Sequence, residues 1–139
     1  MVMMKKTENM KIIKVMLASR PKILSDVIRN IIEHQPDMII VGEVVDPIKL
    51  LYAIRVAAVD VIIVTPLKAN GEPLICRHLL QEQPLLKIVT QSAKGDVAYL
   101  FQTSHPKRRL DDPSGQSIMG VIREAMFTVG LKQGNKNNQ

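Results

Sequence analysis

The run Asp60-Val61-Ile62-Ile63-Val64 constrains this chain most. Four consecutive apolar residues cannot alternate between a core face and a water face. Such a run suits a strand of a parallel sheet, covered on both sides. A parallel neighbour requires a crossover connection, normally a helix. The rest of the sequence supplies that alternation. Ile12–Ala18 reads as a first strand. Leu24, Val27, Ile28, Ile31 and Ile32 then recur at helical spacing, with Pro21 at the first helical position and Gln35-Pro36-Asp37 as the stop. Met38–Val45 reads as a second strand. Asp46-Pro47 is a cap and first-turn proline for a helix carrying Leu50, Leu51, Ile54, Ala57 and Ala58. Thr65–Gly71 reads as a loop, and a helix opens at Pro73 and runs to Gln83. Leu86–Gln91 is a fourth strand, and Val97–Phe101 reads as a short helix. Asp112-Pro113 repeats the cap-plus-proline device. Ile118, Val121, Ile122, Ala125, Met126 and Val129 then form an amphipathic helix closed by Gly130.

A chain of 139 residues fits one domain. Residues 1–10 read as a flexible lead, 11–130 as the domain and 131–139 as a disordered tail. With 46% hydrophobic but only 3% aromatic residues, the core is aliphatic. No apolar run is long enough to cross a bilayer, and Lys14 breaks the N-terminal one, so no signal peptide is expected. The single cysteine, Cys76, forms no internal disulfide and reads as a small core residue. These features lead to the expectation of a cytoplasmic protein. The net charge is 19 − 13 = +6, but the basic residues are spread along the chain. Their one tight cluster is Lys107-Arg108-Arg109. Tyr52, Tyr99, Phe101 and Phe127 are the only aromatics, too few for single-strand nucleic-acid recognition by stacking.

In alternating sheets of this kind, function sits in the loops after the carboxyl ends of the strands. Here those are Ser19-Arg20, the stretch after Val45, Thr65–Gly71 and Ser92–Asp96. Through these loops the chain resembles the receiver domain of two-component response regulators. The match runs through Val15-Met16-Leu17-Ala18, Glu33-His34-Gln35-Pro36-Asp37, Val41-Gly42-Glu43 and Asp60–Val64. It resumes at Lys87-Ile88-Val89 and Ser92-Ala93 and fades before the last helix. The resemblance implies a three-layer α/β/α sandwich with a flavodoxin-like, receiver-like parallel sheet of order 2-1-3-4-5.

The resemblance also implies a set of site positions. Receivers hold Mg²⁺ on an acidic pair after the first strand; here that pair is Ser19 and Arg20. Their phosphoacceptor aspartate corresponds to Thr65, and their fourth-strand hydroxyl is kept as Ser92. The lysine of the fifth strand has no clear counterpart, and Thr103–Asp112 stands in that region. Mg²⁺ requires carboxylate oxygens. An arginine placed there adds positive charge where the cation would sit, and even two unit charges repel by about 4 kcal/mol at 4 Å and an effective dielectric of 20. Thr65 has no carboxylate to form an acyl phosphate and no matching base to activate its hydroxyl. The chain therefore reads as a pseudo-receiver with a degenerate phosphorylation site at Ser19, Arg20, Thr65 and Ser92.

No catalytic group, cofactor or metal site is expected. His34, His78 and His105 share no ligand spacing, and Asp60 stands at the wrong end of its strand to be a phosphoacceptor. The first functional expectation is phosphorylation-independent signalling through a protein partner: a regulator, a sensor, an output protein or a second copy. Receivers meet partners on the face of their fourth helix, fifth strand and fifth helix. That position selects Tyr99, Phe101, Lys107, Arg108 and Arg109. The second expectation is a small-anion or nucleotide sensor using Arg20, Lys68 and Ser92 as a basic rim. The third is a nucleic-acid-associated regulator using the positive surface.

Overall fold

A computed structural model of the chain describes residues 11–18, 22–44, 49–64, 74–92 and 94–137. The expectations placed on residues 1–10, Pro21, Asp46-Pro47, Thr65–Gly71 and Pro73 lie outside them. The elements are β1 (Ile13–Ala18), α1 (Lys22–Glu33), β2 (Met38–Glu43), α2 (Leu50–Val56), β3 (Val61–Val64), α3 (Leu74–Glu82) and β4 (Lys87–Gln91). They continue with β5 (Val97–Phe101), β6 (Arg108–Asp111) and α4 (Gly115–Asn137). The sheet order is β2-β1-β3-β4-β5-β6.

The first four strands are parallel, and the apolar runs of β1, β3 and β4 are explained by cover on both faces, while β2 at the end of the sheet leaves Ile39 exposed. Because side chains alternate along a strand, β1 sends Ile13, Val15 and Leu17 to one layer and Met16 and Ala18 to the other. β3 divides likewise, with Val61 and Ile63 opposed to Ile62 and Val64. The first layer is closed by Ile28 and Ile32 of α1 and by Ile118 and Ile122 of α4. The second is closed by Leu50 and Ile54 of α2 and by Cys76 and Leu79 of α3. The result is an α/β fold of three layers.

Two details fix the parallel half. The β1–β2 register slips between Val15 and Met16, which pairs Met16 with Gly42. A β-carbon on Gly42 would stand 3.0 Å from Met16 Cε, so glycine lets the two strands close around that side chain. At the other end of the sheet, Asp60 ties three strands together. Its Oδ2 accepts from Lys14 N at 2.9 Å, its own N–H donates to Lys14 O, and its carbonyl accepts from Lys87 N. Asp60 is thus a clamp at the amino edge.

The all-parallel sheet is corrected beyond β4. β4 pairs with β5 antiparallel, and β5 pairs with β6 antiparallel, so the sheet is mixed. Val97–Phe101 is a strand, not a short helix. Its five residues are too few for a stable helix, and their β-branched and aromatic members favour a pleated surface. The reversal is made at Ser92–Asp96, where Gly95 takes φ +77° and donates to Ser92 O at 2.9 Å. The cap of α4 is also corrected. Ser114, not Asp112, accepts at its Oγ from Ser117 N at 3.0 Å, while Asp112 takes φ +45° and donates to Asp96 O. Finally, the α4 backbone stays helical through Gly130 to Asn137, past the expected stop and into the expected tail.

Candidate partner-binding face

Of the four degenerate phosphorylation-site positions, Ser19, Arg20 and Thr65 lie outside the described residues, as does Lys68 of the basic rim. Ser92 stands just past the end of β4. Its hydroxyl is occupied by the turn: Oγ donates to Asp96 Oδ1 at 2.6 Å and accepts from Val97 N at 3.3 Å. The Ser92 hydrogen bond holds the Asp96 carboxyl below its ordinary range. Ser92 therefore locks the β4–β5 reversal. Beside it, buried Gln91 keeps its Oε1 without a hydrogen-bond partner. An unsatisfied buried acceptor calls for a donor.

The hairpin gathers a second group. Cross-strand pairing sets Arg109 opposite Tyr99 and Arg108 opposite Leu100. Neighbouring positions on β6 therefore point to opposite faces. On the α3 side, Lys107 Nζ lies 4.8 Å from the Tyr99 ring centroid and the Arg109 guanidinium carbon lies 5.9 Å from it. Both are within cation–π reach. Arg109 Nη1 also donates to the Tyr99 hydroxyl at 3.3 Å, and its Nε donates to Asp111 at 2.8 Å. That carboxylate partner raises the Arg109 pKa above its ordinary value.

The five expected contact residues therefore separate. Tyr99, Lys107 and Arg109 share the α3-side face. Arg108 faces the opposite side, where its Nη1 donates to Glu124 of α4 at 2.6 Å. Phe101 is corrected to a core residue: it is 8% exposed and packs in the layer of Leu79, Leu86 and Ile88. The face itself is corrected too. Among the described residues no helix lies between β4 and β5, so the surface is a sheet face and not a helix-bounded one. Among the described residues no crossover helix covers β5 and β6 on the α3 side, where the Tyr99 ring is half-buried and Lys107 and Arg109 are exposed. Chemically this is an apolar ring held between guanidinium and ammonium donors, suited to an acidic or carbonyl-rich protein segment.

Lys87 opens β4, 5% exposed, and donates from Nζ to Leu85 O at 2.9 Å. Burial pushes its pKa down, partly opposed by Asp60. The sequence reading missed one polar cluster. Arg123 of α4 donates from Nε and Nη2 to the two oxygens of Asp37, at 2.8 and 2.9 Å, and from Nη2 to Gln35. Arg123 holds the Asp37 carboxyl below its ordinary range. Asp37 reads in sequence as a helix stop, and only the packing of α4 reveals its partner 86 residues away. Among the described residues no group of three or more His, Cys, Asp or Glu is placed to hold a metal ion, and no helix is long and apolar enough to cross a membrane.

No protein-family model, no curated protein and no solved structure matches this chain.

Proposed function

We propose that this chain is a receiver-like signalling domain that works without phosphorylation and acts by protein contact through the α3-side face of its β5–β6 hairpin. The observation that carries the reading is the Tyr99 ring held between Lys107 and Arg109 on a sheet face that no crossover helix covers among the described residues. The parallel order of β2, β1, β3 and β4 supports the receiver-like part. On this reading those strands hold the first four places of a flavodoxin-like 2-1-3-4-5 sheet, and a reversed strand fills the fifth. The Thr65 position, with no carboxylate, supports an input other than phosphotransfer. The occupation of Ser92 Oγ by its own turn supports the same conclusion.

The test is affinity capture from the native cell with quantitative mass spectrometry. The bait is the wild type, Lys107→Glu with Arg109→Glu, or Arg108→Glu alone, each with and without acetyl phosphate and Mg²⁺. The double reversal is expected to lose a partner that wild type and Arg108→Glu both retain, and the phosphodonor is expected to change neither capture nor intact mass. Equal capture by all three baits refutes the face. A hydroxylamine-labile gain of one phosphoryl group refutes the phosphorylation-independent input.

A further inference from the structure

On the side of the sheet opposite Tyr99, at its amino edge, α4 and the start of β1 enclose a cleft of about 420 Å³. That is the small end of the range for pockets that take a small molecule. Its apolar lining is Ile13, Met126 and Phe127. Ile13 belongs to the core, and Phe127, 73% exposed, to the rim. Its polar lining is Lys11, Asp37, Arg123 and Glu124, and both carboxylates are matched. Asp37 takes Arg123 Nε and Nη2 on its two oxygens, at 2.8 and 2.9 Å, and Glu124 accepts from Arg108 at 2.6 Å. Donor capacity is left over. A guanidinium has five N–H bonds. Nε gives its one to Asp37 and Nη2 gives its two to Asp37 and Gln35, so the two of Nη1 have no protein partner among the described residues. Lys11 is exposed and makes no hydrogen bond or ion pair among them. With Arg108 included, three cations stand against two carboxylates, an excess of one positive charge.

We infer that this cleft binds a small carboxylate on an apolar body, the chemistry of a medium-chain fatty acid. Charge complementarity selects it. One excess positive charge matches a monoanion. The donors without partners are an ammonium and one guanidinium nitrogen, and a carboxylate is acceptor-only, with lone pairs for both. Three rival classes fit less well. An inorganic anion leaves the surface of Ile13, Met126 and Phe127 in water. A neutral apolar molecule takes Lys11 and Arg123 Nη1 out of water without an acceptor. An amine adds positive charge to a lining that already has an excess. The Asp37 fork fixes the guanidinium before a ligand arrives, so little further ordering is needed on binding. This site is independent of the Tyr99 face, and either can fail without the other.

Isothermal titration calorimetry of the full chain with hexanoate, octanoate and decanoate, each below its aggregation concentration, tests it. Octanol, octylamine and acetate are the controls. Octanoate is expected to bind at least about tenfold tighter than octanol, the difference made by a charge-assisted hydrogen bond. Each methylene added to hexanoate is expected to tighten binding by up to about fourfold until the cleft is full. Acetate and octylamine are expected to give no measurable heat. Lys11→Gln is expected to weaken octanoate at least about threefold and to leave octanol unchanged, whereas Phe127→Ala weakens both. Both residues are exposed, so both variants are expected to fold, which circular dichroism checks. Amide NMR shifts on adding octanoate are expected to centre on Ile13, Arg123 and Met126. Failure of all three acids to bind overturns the inference. So does octanoate no tighter than octanol or octylamine, an octanoate affinity indifferent to Lys11→Gln or to Phe127→Ala, or amide shifts centred away from the cleft.

Discussion

β3 and β6 are both strands of four residues in the same sheet, and they are held by different means. Every residue of β3 is buried, with side chains alternating into two helix-covered layers. In β6 only Leu110 is partly buried, and Arg108, Arg109 and Asp111 are exposed. The first strand is fixed by water excluded from both of its faces. The second is fixed by its ladder to β5 and by side-chain pairs that remain wet. The sheet therefore changes character beyond β4: among the described residues the parallel half has helices on both sides, whereas the hairpin packs β5 into the two layers through Leu100 and Phe101 and leaves β6 at the surface. The Tyr99, Lys107 and Arg109 face is the part of the hairpin left for the proposed recognition.

The largest expected effect tests that division directly. Ile62→Ala in β3 should cost about 3–4 kcal/mol, whereas Leu110→Ala in β6 should cost less than about 1 kcal/mol, both read by urea denaturation. Equal costs would mean that the hairpin belongs to the core. A smaller effect compares two ion pairs of α4. Asp37 is 23% exposed and bound by two hydrogen bonds, while Arg108 and Glu124 are 53% and 58% exposed. Asp37→Ala should cost about 1–2 kcal/mol at pH 7, and Arg108→Ala less than about 0.5 kcal/mol. The Asp37 carboxyl is depressed in the fold, so its stabilisation is present above the unfolded value near 4 and is lost as pH falls through the lower folded value. The difference between wild type and Asp37→Ala should therefore shrink below about pH 4. A difference that holds constant down to pH 2 would show that Asp37 acts by packing. The smallest effect sharpens the role of the reversal. Ser92→Ala should cost about 0.5–1 kcal/mol and speed amide exchange at Val97 without reaching β3. An equal gain in exchange at Val61–Val64 would join the two halves into one cooperative unit.

The parallel half was legible because its signals are strong. Val61–Val64 has one reading once helical spacing is seen on both sides of it, and β1, α1, β2 and α4 carry their periods in the sequence. The hairpin was illegible for a physical reason. Val97-Ala98-Tyr99-Leu100-Phe101 is apolar at every position, so neither period stands out, and Lys94-Gly95-Asp96 suits a loop before a helix as well as a reversal between strands. β6 hides better still, since an edge strand of arginines and an aspartate looks like a solvated loop. The candidate face shares this limit. The sequence places Tyr99, Phe101 and three basic residues near one another, but only cross-strand register tells Arg109 from Arg108 and sends Phe101 into the core. The Arg123–Asp37 pair, which ties α4 to the turn before β2, has no local signal at all.

Among the described residues β6 is also where the sheet ends, and one side of its backbone has no neighbouring strand. Such a margin is a template on which a foreign strand can continue the ladder, and short charged strands are a known guard against it. Four residues, three of them charged, make this margin a poor template. The consequence concerns the manner of recognition. On the proposed function, a partner arriving here would be selected by the chemistry of side chains on a face and not by addition of its own main chain, so it would need no extended segment and no particular strand direction. Mutations that alter which molecule is bound should then leave the risk of fibrous association unchanged, provided the two arginines are not both replaced by β-branched apolar residues.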